Sequence, residues 1–156
     1  RKRLIRGRSI QGVAAASIYM ACRQCAVIRT LEEVAKASSI SKKEGGRNYR
    51  FLLRRLDTKV MPVNPHNYVS KFVNQLSLSG NTESLAIKIL DIASDMKLTS
   101  GRGPAGIAAA ATYIASLLTD EKRTQGEIAK GAQVTEVTIR NRYKELTQKL
   151  FIKVNL

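Results

Sequence analysis

Two small groups of residues have types and spacings that chemistry uses. Cys22 and Cys25 form a CxxC, the spacing of zinc knuckles and dithiol redox sites. A structural zinc ion takes four ligands, and the chain's remaining imidazole or thiol is the lone His66. The pair therefore reads as buried or semi-buried thiols of a reducing compartment, too few for a disulfide framework. Gly101, Gly103 and Gly106 fit the dinucleotide-binding fingerprint letter for letter. That fingerprint needs a strand before it and an acidic residue on a strand after it, whereas here a helical segment precedes and no strand follows. A tight turn between helices, with close packing at Gly106, is the simpler reading. His66 lacks the Ser, Cys or paired-carboxylate company that catalysis requires, so neither an enzyme nor a metal site is expected.

A third group is basic and larger. Residues 124 to 130 and 135 to 149 have helical period and are joined by a short turn through Gly131 to Val134, the dimensions of a helix-turn-helix. Along the second helix Ile139, Tyr143, Leu146 and Leu150 follow a three-and-four spacing and are expected to face a core. Val137, Arg140, Asn141 and Lys144 then share the opposite face, with Thr138 beside them. Arg donates twice to guanine, Asn reads adenine, Val touches a thymine methyl and Lys neutralises phosphate. The plainer alternative is a solvated basic face on a helix that only packs.

Those side chains need a scaffold, and the sequence uses one twice. Sliding the chain on itself by 94 positions carries Gly7, Arg8, Gly12, Ala14 to Ala16, Tyr19 and Ala21 onto Gly101, Arg102, Gly106, Ala108 to Ala110, Tyr113 and Ala115. The register then holds from Arg29 and Thr30 through Glu33, Ala35 and Lys36 to Tyr49, Leu52 and Leu56. Each copy reads as three helices. The first, 9 to 24 and 104 to 118, is rich in small residues and expected to be central and buried. The second, 30 to 37 and 124 to 130, opens at an N-capping Thr. The third opens at Ser41, with Glu44 as a capping box, or at Thr135 with Glu136 in the first turn. Two more helical segments precede the second copy: 67 to 76, and about 82 to 97 with Leu85, Ile89, Ile92 and Met96 as its stripe. The class is all-α.

The second copy thus has five helices and the first, behind a basic stub from Arg1 to Arg8, only the last three. Equivalents of the other two are expected upstream of Arg1, which makes the first copy truncated at its N-terminus. The expected division is 1–58 for the first repeat, 59–66 for a linker carrying Pro62 and Pro65, and 67–156 for the second repeat. Without covering helices, residues 1 to 57 are expected to expose apolar surface, and to self-associate or to be poorly ordered. Gly45 falls where the second copy has Ile139 and Gly46 follows it, so the start of that helix is expected to fray.

Lys and Arg number 27 against 12 Asp and Glu, a net charge of +15 with 44% apolar residues. Such a chain folds and seeks a polyanion. No apolar run approaches the roughly 20 residues that span a bilayer, and the basic start lacks the apolar stretch of a secretory signal. A soluble intracellular protein without a membrane partner is expected.

The segments RGRS, AAASIYMACR, RTLEEVAKASSISKKE, GRGPAGIAAAATYIAS, KRTQGEIAK and VTEVTIRNRYKEL closely resemble the core of the transcription factor IIB family, nearest to its archaeal form, over almost the whole chain. The resemblance implies cyclin-like repeats that clamp a TATA-binding protein on bent promoter DNA. It implies that Val137 and Arg140 read the upstream B-recognition element in the major groove. Gly7 and Arg8 match a loop that approaches the minor groove downstream of the TATA box. Lys42, Lys43, Arg47 and Arg54 match basic positions that contact the TATA-binding protein or DNA. Where this chain has Gly45 the family has a branched aliphatic residue. A zinc ribbon and a segment entering RNA polymerase precede this region in full-length members, so no cofactor is expected within these residues. Location would be cytoplasmic and nucleoid-associated in an archaeon, nuclear in a eukaryote. Two other functions fit an all-α repeat: a cyclin-like kinase-regulatory subunit, with no duplex affinity, and a stand-alone repressor that binds its operator unaided.

Overall fold

Helix starts in this chain are written in its hydroxyl residues, whose oxygens accept from amides that the first turn leaves unpaired. Ser9, Ser41, Ser79, Thr124 and Thr135 each accept from the backbone N–H three residues on. Thr30 with Glu33 and Thr124 with Glu127 form complete capping boxes. The box expected at Ser41 is half made: Ser41 Oγ accepts from the Glu44 amide, while the Glu44 carboxylate takes the hydroxyl of Ser9 at 2.6 Å.

The computed structural model describes residues 5, 7–60 and 63–152, so the basic stub is seen only at Ile5, Gly7 and Arg8, and Pro62 lies outside the described residues. Among them are eight helices and no strand: α1 Ile10–Gln24, α2 Leu31–Ala37, α3 Lys42–Leu56, α4 Pro65–Gln75, α5 Gly80–Asp95, α6 Pro104–Leu118, α7 Gln125–Ala132 and α8 Glu136–Lys149. The protein is all-α. It divides into two compact units, Arg1–Val63 and Asn64–Leu156. Helix α4 starts earlier than the periodicity suggested, because Pro65 sits in the first turn, where its missing N–H costs nothing, behind an Asn64 cap.

In the second unit α6 is the axis. Every residue from Gly106 to Ser116 is buried, and α4, α5, α7 and α8 all pack on it. Its Ala, Gly, Thr and Ser side chains permit that crowding, and Thr112 and Ser116 return their hydroxyls to carbonyls of their own helix. Phe72, Leu90, Ile107, Ile114, Ile128, Ile139 and Leu146 fill the core around it. Helix α5 is rotated from expectation. It buries Thr82, Ala86, Ile89, Leu90 and Ala93, while Ile92 and Met96 are exposed. Close approach to an alanine-rich partner selects small residues, which a count of large apolar side chains overlooks.

In the first unit α1 packs on α2 and α3, burying Gly12, Val13, Ala15 and Ala16. It is therefore not the fully buried helix that its likeness to α6 suggested. Ala14, Ser17 and Ala21 are exposed where the matching Ala108, Ala111 and Ala115 are buried, and Ile10 and Ile18 are exposed as well. Frayed geometry is not seen at the start of α3. Gly45 and Gly46 are helical and buried, with Leu31 methyls 3.4 Å from the place where each Cβ would stand, so Leu31 fills the volume an aliphatic side chain would take. The repeat extends to ring geometry. Tyr19 meets Tyr49 edge to face at 4.8 Å between centroids, and Tyr113 meets Tyr143 in the same way at 5.4 Å.

Candidate nucleic-acid interface

Helix α8 has two unlike sides. Ile139 and Leu146 are buried, Tyr143 and Leu150 are half-buried, and together they hold the helix against the core. Val137, Arg140, Asn141 and Lys144 are all exposed, Val137 at 58%, so the strip offers a methyl-bearing side chain beside two cations and an amide. Thr138 stands apart from that strip. Its methyl lies 2.9 Å from where a Cβ on Gly106 would be, and its hydroxyl bonds that of Thr135 at 2.9 Å. It seats the helix. Helix α7 runs through Gly131, and the turn falls on Gln133, which takes the left-handed conformation at φ 53°. Gly131 has a packing role: its absent Cβ admits the Leu76 side chain at 3.3 Å.

The first unit gathers a different basic surface. Gly7, Arg8, Ser9, Glu44, Arg47, Asn48, Arg50 and Arg54 line a polar cleft of about 480 Å³ between the loop before α1 and the outer face of α3. Of the residues expected to act here, Gly7, Arg8, Arg47 and Arg54 come together. Lys42 and Lys43 are exposed but do not line the cleft, and Lys42 Nζ lies 2.6 Å from Glu32. That ion pair is open to water and adds little to stability. Sequence reading passed over Asn48 and Phe51. Arg8 Nη1 donates to the Asn48 side-chain oxygen at 2.7 Å, and the guanidinium lies over the Phe51 ring, 4.0 Å from its centroid.

The remaining candidates have structural duties. Gly7 and Gly101 hold φ of +74° and +69°, the left-handed region that glycine enters freely, so both are turn residues. Cys25 caps the end of α1 and is exposed rather than buried, Cys22 is half-buried, and both are free thiols. His66 Nε2, on α4, lies 2.8 Å from Asp91 Oδ1 of α5 but outside hydrogen-bonding geometry. Glu121 accepts from the Thr82 hydroxyl above all, then from the Ser79 hydroxyl and amide, contacts that hold its carboxyl below the usual carboxylate range. Glu127, bonded by the Thr124 amide and hydroxyl of its capping box, is lowered for the same reason.

Geometry so far defines an all-α protein built from a twice-used helical repeat and ending in a helix-turn-helix. A family model described as the transcription factor TFIIB repeat matches residues 1–55 and 58–149. A protein named transcription initiation factor IIB from Methanosphaerula palustris is 58% identical over 155 residues, covering 99% of this chain and 46% of that protein. Its namesake in Methanococcus maripaludis strain C7 is 59% identical with the same coverage. The Methanocaldococcus jannaschii protein of that name is 61% identical and 23% covered. The chain belongs to the transcription factor IIB family, in its archaeal branch, a family of transcription factors rather than enzymes. It spans less than half the length of these relatives.

Proposed function

We propose that this chain is the core of a general transcription initiation factor. It binds the TATA-binding protein on promoter DNA and reads the B-recognition element through α8, which fixes promoter polarity. Val137, Arg140, Asn141 and Lys144 meet the major groove, Gly7 and Arg8 approach the minor groove on the other side of the TATA box, and the basic positions of α3 contact the TATA-binding protein or the duplex. Polymerase contact belongs to other parts of the full-length protein, and the site of action is the nucleoid. The observation that carries this reading is the exposed strip of α8, whose four residues stand in water on a helix that the core holds firmly from behind. A chain of net charge +15 adds the attraction to a polyanion.

Gel-shift titration on a TATA-containing duplex, with the upstream element intact or scrambled, tests it. A supershift that requires the TATA-binding protein and weakens on scrambling is expected. Tight binding to the duplex alone as a symmetric dimer would indicate a repressor, and no duplex affinity at all would indicate a regulator of another protein.

A further inference from the structure

The two units carry the same loop arginine, and its partners differ. In the second unit Arg102 Nη2 donates to Glu145 at 2.7 Å, and the other oxygen of Glu145 takes Arg142. A shift of 94 positions sets Arg8 against Arg102, Phe51 against Glu145 and Asn48 against Arg142. Where the second unit spends a carboxylate on its loop arginine, the first offers an amide oxygen and an aromatic face. Both of those partners fix the guanidinium, and neither carries charge.

The amide is itself locked. Asn48 is 3% exposed, and its Nδ2 stands 2.2 Å from where a Cβ on Gly12 would be, with Glu44 Oε1 and Ser9 Oγ each 2.7 Å from the same point. Only a residue without a side chain at position 12 leaves room for that arrangement. Glu44, the carboxylate lining the cleft, has one oxygen occupied by the Ser9 hydroxyl. Arg47, Arg50 and Arg54 line the same cleft, and their counterparts are Asn141, Lys144 and Gln148, so the first unit is the richer in guanidinium groups. Planar forked donors around a concavity suit a tetrahedral phosphodiester better than the point charge of Lys does.

We propose that Asn48 and Phe51 are positioning residues that hold the Arg8 guanidinium at the cleft without a carboxylate bonded to it, making it a seat for one backbone phosphate of duplex DNA. The inference rests on the DNA-binding reading above and adds to it which residues prepare the contact. Asn48→Asp tests it, because the variant keeps the shape of the side chain and gives Arg8 the kind of partner that Arg102 has.

The measurement is affinity for a 30-base-pair TATA duplex, with the TATA-binding protein present, across a salt series, with thermal melting as the fold control. Asn48→Asp is expected to keep its helical signal, to melt lower because the buried carboxylate also faces Glu44, and to bind about tenfold more weakly at low salt, with the slope of log affinity on log salt reduced by roughly one. Arg8→Gln is expected to weaken binding and lower the slope in the same way, and the double variant to lose little more than either single. If Asn48→Asp loses its helical signal, Phe51→Glu carries the test by installing the carboxylate that the second unit already has. Affinity within twofold of the parent chain in both charge-importing variants overturns the proposal, as do losses that simply multiply. Weakened binding to the TATA-binding protein in solution with duplex affinity unchanged also overturns it and assigns the cleft to a protein carboxylate. Base preference measured with Arg140→Ala is independent of this cleft, so its loss or survival reports separately on the reading of α8.

Discussion

Gly106→Ala asks whether α8 is seated on α6 by contact at a single point. The added Cβ would stand 2.9 Å from Thr138 Cγ2, in the buried first half of α6. Carbon atoms pack at about 3.5 to 4.0 Å, so either the start of α8 moves outward by about 0.6 to 1.1 Å or the Thr138 side chain turns. Turning breaks its 2.9 Å bond to the Thr135 hydroxyl and disturbs the cap of α8. Alanine in place of glycine favours a helix by up to about 1 kcal/mol, and overpacking a dense core costs about 1 to 3 kcal/mol. The net expectation is a loss of about 0.5 to 2 kcal/mol, measured by urea denaturation of the parent chain and the variant. Thr138→Ser removes the offending methyl and keeps the hydroxyl, so the double variant should recover most of the loss in a mutant cycle. A Gly106→Ala chain as stable as its parent, or one that Thr138→Ser fails to rescue, would refute the packing role.

Three further outcomes are expected. Thr124→Ala removes the acceptor of a complete capping box and should lower stability by about 1 kcal/mol, with Thr30→Ala costing the first unit a similar amount; equal melting of parent and variants would show that the boxes do not hold these helices. Glu121 and Glu127 have carboxyl groups held below their ordinary range, so the unfolded chain binds protons there more readily than the folded one. Their contribution is present above the ordinary carboxylate range and disappears as pH falls through the lowered values, and Glu121→Gln should flatten that acid limb; an unchanged limb removes Glu121 from the account. Ile139→Ala opens a cavity at a position of 0% exposure and should cost about 2 to 5 kcal/mol by denaturation, whereas a cost under 1 kcal/mol would mean that α8 is not anchored there.

Much of this architecture was legible because the chain states it twice. A shift of 94 positions aligns Tyr19 and Tyr49 with Tyr113 and Tyr143, and both pairs meet edge to face. The outward strip of α8 followed from the spacing of Ile139, Tyr143, Leu146 and Leu150. The face of α5 did not, because hydrophobic periodicity weighs Ile92 and Met96 heavily and Thr82, Ala86 and Ala93 lightly, while an alanine-lined partner rewards the small ones. Gly131 read as turn chemistry, and only the packed structure shows Leu76 occupying its missing side chain. Asn48 and Phe51 gave no signal of their own, since neither is charged. Their meaning emerges from comparison with Arg142 and Glu145 around an arginine that both copies share.

Selection of preferred duplexes from a pool randomised upstream of the TATA box, with the TATA-binding protein present and with either the parent chain or Arg140→Ala, tests the central claim most directly. The account predicts that the parent chain enriches a defined upstream sequence and that the variant loses preference at one base position, a discrimination of about 1 to 3 kcal/mol, with an unchanged salt slope. Uniform loss of affinity over all sequences, with a slope smaller by about one, would make Arg140 a phosphate contact and contradict base reading by α8.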